Sequence, residues 1–120
     1  MEPKKCCTEE RYEFRDNSGK DLVKFCNILR MEGDDKSTAF YLLPENPDKP
    51  VYTKTQTGNI GVHYNRLKHT DMFCRVHNSH VVNILYIKRV EAHFVTMMDG
   101  TKVEVSEKFK PVLDSMLKSC

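Results

Sequence analysis

Along this chain apolar and polar positions alternate in short runs, the pattern of strands that turn one face to a core. Residues 11–15 begin it, with Tyr12 and Phe14 on one face and Arg11, Glu13 and Arg15 on the other. Asn17-Ser18-Gly19 reads as a tight turn, and residues 21–25 return as a second strand carrying Leu22, Val23 and Phe25. Residues 27–32 and 38–43 are predicted strands on either side of a loop tip, Gly33-Asp34-Asp35-Lys36. Pro44, Pro47 and Pro50 cannot sit inside a central strand, so residues 44–50 are a surface connection. Residues 51–57 alternate again until Gly58-Asn59 breaks the run.

The period then changes. Ile60, Tyr64 and Leu67 stand at i, i+4 and i+7, one stripe of a short helix with Asn59 as its N-cap. Residues 73–82 follow, and residues 84–90 and 93–98 read as apolar strands. Asp99-Gly100 predicts a type I′ hairpin turn, with φ > 0 at both central residues, and residues 101–105 the returning strand. Phe109, Val112 or Leu113, and Met116 form a last helical stripe. Pro111 is tolerated near a helix start, which makes residues 106–110 its capping turn. Seven or eight short strands and two short helices make a mainly β domain of packed antiparallel sheets, with the helices at ends or edges. Residues 1–10 show no periodicity and are expected to be a flexible arm, leaving residues 11–120 as one domain.

Composition narrows the class. A charged fraction of 30% beside 39% hydrophobic residues is that of a soluble globular chain. No apolar run nears the roughly 18 residues that span a bilayer, and the polar N-terminus lacks the apolar core of a signal peptide; a cytoplasmic protein is expected. Five cysteines, Cys6, Cys7, Cys26, Cys74 and Cys120, are an odd number without a secreted scaffold's spacing, which points to reduced thiols. Cys26 and Cys74 lie in apolar stretches and suit the core. The net charge of +2 is unevenly spread: residues 1–60 hold ten Lys/Arg against eleven Asp/Glu, residues 61–120 nine against six. Any footprint for a polyanion belongs to the second half.

Three stretches resemble one bacterial family. Asn27-Ile28-Leu29-Arg30-Met31-Glu32-Gly33-Asp34 resembles the early strand of LytTR-type DNA-binding domains. Phe73-Cys74-Arg75-Val76-His77-Asn78-Ser79-His80-Val81-Val82-Asn83 resembles their central signature, an aromatic followed by Arg-x-His-x-Ser and an apolar pair with Asn. Ile87-Lys88-Arg89-Val90, Asp99-Gly100 and Val105-Ser106 resemble their closing hairpin and the turn after it. The resemblance covers roughly residues 12–117. It implies a mostly β transcription-regulator domain that reads promoter direct repeats from loops in the major groove, without a recognition helix. Such domains are usually the output module of a two-component response regulator behind a receiver domain; no receiver is recognised in these 120 residues, so a stand-alone member or a fragment is expected.

The resemblance also implies site residues. Asn78 follows the signature His and is the first candidate for a base contact, since a carboxamide can pair with adenine N6 and N7; as Asn-Ser it could equally be a plain turn-former. In the loop after Glu32, Lys36 and Ser37 could donate to phosphate or a base edge, or be a solvated tip, and Asp34 and Asp35 should turn away from DNA or be neutralised by Lys36. After Val105 the chain has Glu107-Lys108 where some relatives carry a basic pair, a departure that puts base reading there in doubt; Lys108 and Lys110 remain candidate phosphate contacts or ordinary solvated charges. Arg75 and His77 belong to the signature, but Arg75 could pair with a carboxylate and His77 could be a packed, hydrogen-bonded residue. Lys36, Lys54, Lys108 and Lys110 are expected to hold the backbone of double-stranded promoter DNA. Tandem sites suggest a second copy on the DNA.

Other classes fit less well. Cys74-x-x-His77-x-x-His80 is a conceivable metal set, yet on one strand Cys74 and His80 would share a face with His77 opposite, and no further ligand pair completes it. No nucleophile motif or phosphate-cradling Gly-rich loop is present, so no enzyme, cofactor or small-molecule substrate is expected. The alternative is a non-enzymatic protein-interaction module of a signalling system, pairing through an exposed strand edge.

Overall fold

A computed structural model of the protein describes residues 10–118; most of the expected N-terminal arm, with Cys6 and Cys7, and also Cys120 lie outside the described residues. Strands β1 (Arg11–Asp16) and β2 (Gly19–Lys24) form a hairpin in which Tyr12 faces Val23 and Phe14 faces Asp21. Its turn is closed by the Asp16 carboxylate, which accepts the Ser18 and Gly19 N–H groups at 2.8 and 3.0 Å. After a 3-10 turn at Phe25–Asn27 come β3 (Ile28–Gly33), β4 (Ser37–Leu42) and β5 (Tyr52–Thr57). Helix α1 (Ile60–Leu67) leads to β6 (Phe73–His77) and β7 (His80–Asn83). Strands β8 (Ile87–Val90), β9 (Phe94–Met97) and β10 (Lys102–Glu104) precede helix α2 (Lys110–Lys118).

The large sheet runs β5-β4-β3-β7-β6 and the small one β10-β9-β8, antiparallel throughout. Successive side chains of a strand point to opposite faces, and here both faces of the large sheet are buried. Ile28, Met31, Phe40, Phe73 and Val81 meet Tyr12 and Phe14 of the hairpin and Ile60 and Leu67 of α1. Leu29, Cys74, Val76 and Val82 meet Val95, Met97 and Val103 of the small sheet and Leu113 of α2. That double burial explains why β3 reads as an unbroken buried run, Ile28 to Met31, and not as an alternation. Cys74 is fully buried and Cys26 packs half-buried against the first core, as their apolar surroundings suggested.

The mainly β fold of packed antiparallel sheets with two short helices is the one the pattern predicts, with differences in detail. There are ten strands among the described residues, because residues 73–82 fold as a hairpin. Residues 84–86 form a 3-10 turn and not strand: the Asn83 side chain accepts the Leu85 N–H at 3.0 Å and donates to the Ile28 carbonyl at 2.9 Å. Helix α2 lies against the edge strand β6, whereas α1 lies over a face of the large sheet. The turn at Asp99-Gly100 is not type I′, since of the two only Gly100 has positive φ, at 92°. Gly100 N–H donates to Met97 O and Met97 N–H to Thr101 O, the bonding of a three-residue loop ending in a left-handed glycine.

Candidate nucleic-acid interface

Three loops meet at one end of the large sheet, and backbone hydrogen bonds stitch them together. Gly33 N–H, at the end of β3, donates to Ser79 O in the β6–β7 turn at 3.0 Å. Gly58 N–H, after β5, donates to Lys36 O in the β3–β4 tip at 2.8 Å. Ser106 N–H, after β10, donates to Val76 O at 2.8 Å. These segments include the loops that the sequence singles out, so residues 70 positions apart come to share one rim.

The β6–β7 turn presents Asn78. It is exposed, and its carboxamide has no hydrogen-bond partner among the described residues. The turn is held from behind: Arg75 Nη2 donates to Asn78 O at 2.8 Å, and the guanidinium carbon lies 5.7 Å from the Phe109 ring centre. Among the described residues no carboxylate pairs with Arg75; its charge is used on the Asn78 carbonyl. His77 is packed and hydrogen-bonded: Nδ1 accepts the Ser79 N–H at 3.1 Å, which leaves Nε2 to carry the proton toward Glu104 Oε2 at 3.0 Å.

The β3–β4 tip is an Asx turn. The Asp34 carboxylate accepts the N–H groups of Lys36 and Ser37 at 2.8 and 2.9 Å, and these bonds hold its pKa below the ordinary value. Asp34 thus turns into its own loop while Lys36 stays exposed; Ser37, the first residue of β4, is half-buried opposite Thr57. In the third loop Lys108 is exposed, with Nζ 5.3 Å from the Phe109 ring centre. Lys110 Nζ donates to Ala92 O at 2.8 Å and ties the start of α2 to the β8–β9 turn. Lys54 is not brought to this rim: it sits in mid-β5 with Nζ 2.6 Å from Asp21 on the β1–β2 hairpin.

The expected facing of Cys74, His77 and His80 is overturned. It assumed one continuous strand, but the two-residue turn and a register shift between Arg75 and His77 set His77 directly across from His80, with ring centres 5.1 Å apart. Cys74 lies in the core below them, its thiol pushed up to about 11 by desolvation. Among the described residues no three His, Cys, Asp or Glu are placed to hold a metal ion.

The support beneath the rim went unread in the sequence. His63 of α1 is 4% exposed. Its Nε2–H donates to Thr57 O at 3.0 Å and its Nδ1 accepts the Tyr12 hydroxyl. Gly58, at φ +111°, passes so close that a Cβ would lie 3.2 Å from His63 Nε2. Thr38 Oγ1 donates to Gly58 O at 3.0 Å, and Asn59 caps α1 by accepting the Val62 N–H, also at 3.0 Å. Only the strand break at Gly58 and the cap at Asn59 were visible beforehand.

A β-layered domain with three bonded loops at one sheet end, one of them carrying an exposed carboxamide held from behind by an arginine, defines a loop-presenting module. The family model for the LytTr DNA-binding domain matches residues 21–118, and the chain belongs to that family of DNA-binding, non-enzymatic domains. Among solved structures it is similar to the LytTr DNA-binding domain of a Bacillus cereus protein described as a methyl-accepting/DNA response regulator. The TM-score is 0.65 and the identity 22%, covering 92% of this chain and 98% of that one. No curated protein matches the chain. No helix among the described residues is long and apolar enough to cross a membrane.

Proposed function

We propose that this domain is a sequence-specific transcription regulator of the response-regulator type, acting in the cytoplasm and reading direct repeats in double-stranded promoter DNA with the three-loop rim in the major groove. Asn78 reads an adenine edge. Lys36, Ser37, Lys108 and Lys110 hold flanking phosphates, and Arg75 and His77 shape the turn that presents Asn78. A second copy on the neighbouring repeat completes the complex, and no small-molecule substrate or cofactor is involved. The observation that carries this reading is the stitching of the loops through Gly33–Ser79, Gly58–Lys36 and Ser106–Val76, which ties four segments distant in sequence into one edge. Lys54, tied to Asp21, contributes least.

The test is fluorescence anisotropy with labelled duplexes from upstream of the protein's own operon, against scrambled duplexes, over a salt series. The expected result is tighter binding to an upstream duplex, weakening with a log–log salt slope of about −0.9 per phosphate contacted. Absence of binding to every duplex at low salt would overturn the reading in favour of a protein-interaction module.

A further inference from the structure

The rim is more acidic than a DNA-binding edge ordinarily is. Asp34, Asp35 and Glu107 stand on its loops, and Glu32 and Glu104 at the ends of β3 and β10, alongside Lys36, Arg75 and Lys108. Exposed charges farther from phosphate than a Debye length of roughly 8–10 Å are largely screened, whereas a carboxylate held closer than that repels the backbone. A positive charge beside them would offset part of that repulsion.

His80, the first residue of β7, is placed to do so. Its side chain is only 20% exposed, and its Nδ1 is buried with no hydrogen-bond partner, 3.5 Å from Glu32 Oε1. The charged groups around it come from three strands and a loop. Glu32 and Arg30 belong to β3, with Arg30 Nη1 3.6 Å from Glu32 and its guanidinium stacked 3.7 Å from the Tyr41 ring centre. His77 faces it from β6 and in turn engages Glu104 of β10. Asp34 lines the same open cleft, together with the uncharged Ser37, Thr55 and Ser79.

We propose that His80 takes up a proton when the domain engages DNA, the new imidazolium closing on Glu32 and offsetting its charge beside the Asn78 turn; this rests on the DNA-binding reading of the rim. The choice of His80 over His77 follows from hydrogen bonding. His77 Nδ1 already accepts the Ser79 N–H, and protonation there would break the bond that shapes the turn. His80 Nδ1 accepts nothing, and a proton on it faces a carboxylate. Burial pushes the His80 pKa below its ordinary value, with His77 and Arg30 adding to the drop and Glu32 and Glu104 opposing it. The free domain therefore holds His80 neutral at pH 7. Approaching phosphates reverse the balance, because negative potential favours the charged imidazolium. By linkage, affinity for DNA then rises as pH falls.

The test is duplex binding by the full chain at fixed salt from pH 8 to pH 5.5. The expected result for the wild type is a Kd falling as pH falls, the slope of log Kd against pH approaching about one for a single linked proton. His80→Gln flattens the profile. His93→Gln, at an exposed turn, and His69→Gln, which removes the 2.7 Å pair with Glu10, leave it intact. A histidine NMR titration with and without the duplex keeps the test readable should His80→Gln fold poorly: the His80 pKa rises on binding. Binding with a profile that His80→Gln does not change, or a His80 pKa that DNA does not move, overturns this inference alone. Failure to bind any duplex at any pH overturns the DNA-binding reading and this inference with it.

Discussion

Asn78 turns its carbonyl back onto Arg75, whose Nη2 donates to it at 2.8 Å, while the residue itself is exposed at the tip of the turn. One side chain of the central signature thus holds the backbone of the turn, and the other is left exposed at its tip. The two roles separate by experiment. Asn78→Ala is expected to cost about 1–3 kcal/mol on the true site and little on scrambled DNA. Equal losses on both duplexes would end its role as the reader.

Arg75→Gln removes the bond to Asn78 O and the contact with Phe109. Urea unfolding should show a loss of about 1–2 kcal/mol, the size of a charged hydrogen bond in a half-buried setting. Affinity should fall on both specific and scrambled duplexes, because the turn loosens and a cation leaves the rim. A variant as stable and as tight-binding as the wild type would mean that the turn does not need this support.

The lysines divide by their partners. Lys108 is exposed at the rim, while Lys54 is engaged by Asp21 at 2.6 Å on another side of the sheet. Lys108→Ala should weaken binding to all duplexes alike and reduce the salt slope by about one, and Lys54→Ala should leave the slope unchanged. The opposite result would move the DNA-facing surface to the β1–β2 hairpin.

Gly58 bridges stability and function. Its φ of +111° and the 3.2 Å approach of a built Cβ to His63 Nε2 make Gly58→Ala strained, at a cost of about 1–3 kcal/mol. The substitution also disturbs the N–H that holds Lys36 O, so a fall in the denaturation midpoint should come with weaker DNA binding. An unchanged midpoint would contradict the strain.

His63 sets an acid limit. Burial, aided by the nearby Arg66, holds its pKa below the ordinary value, although the bond to Thr57 O pulls upward. As pH falls below about 6.5 the unfolded chain takes the proton first, so stability drops through that window and levels off below the folded pKa. Unfolding free energy should be lower at pH 5.5 than at pH 7.5, and His63→Gln should narrow the difference. The part that remains has the same sign, since burial lowers the His80 pKa too. A pH-independent wild type would rule this out.

What the chain determines by itself is local periodicity. Tyr12 and Phe14 point inward because a strand alternates, Asn59 caps α1 because its short carboxamide reaches the Val62 N–H, and Pro111 sits in the first turn of α2 where no N–H is needed. The signature around Asn78 was legible as a family resemblance, and it falls on the exposed turn between β6 and β7. What tertiary structure decided is neighbourhood. That residues 73–82 double back, bringing His80 against His77 and not against Cys74, depends on a two-residue turn and a register shift that carry no periodic signal. That Lys54 is tied to Asp21, that Gly58 is pinned by His63, and that Gly33 bonds Ser79 are facts about strands far apart in sequence. A residue's type and spacing fix which face of its strand it occupies; which strand lies beside it is fixed only when the two cores close around the central sheet.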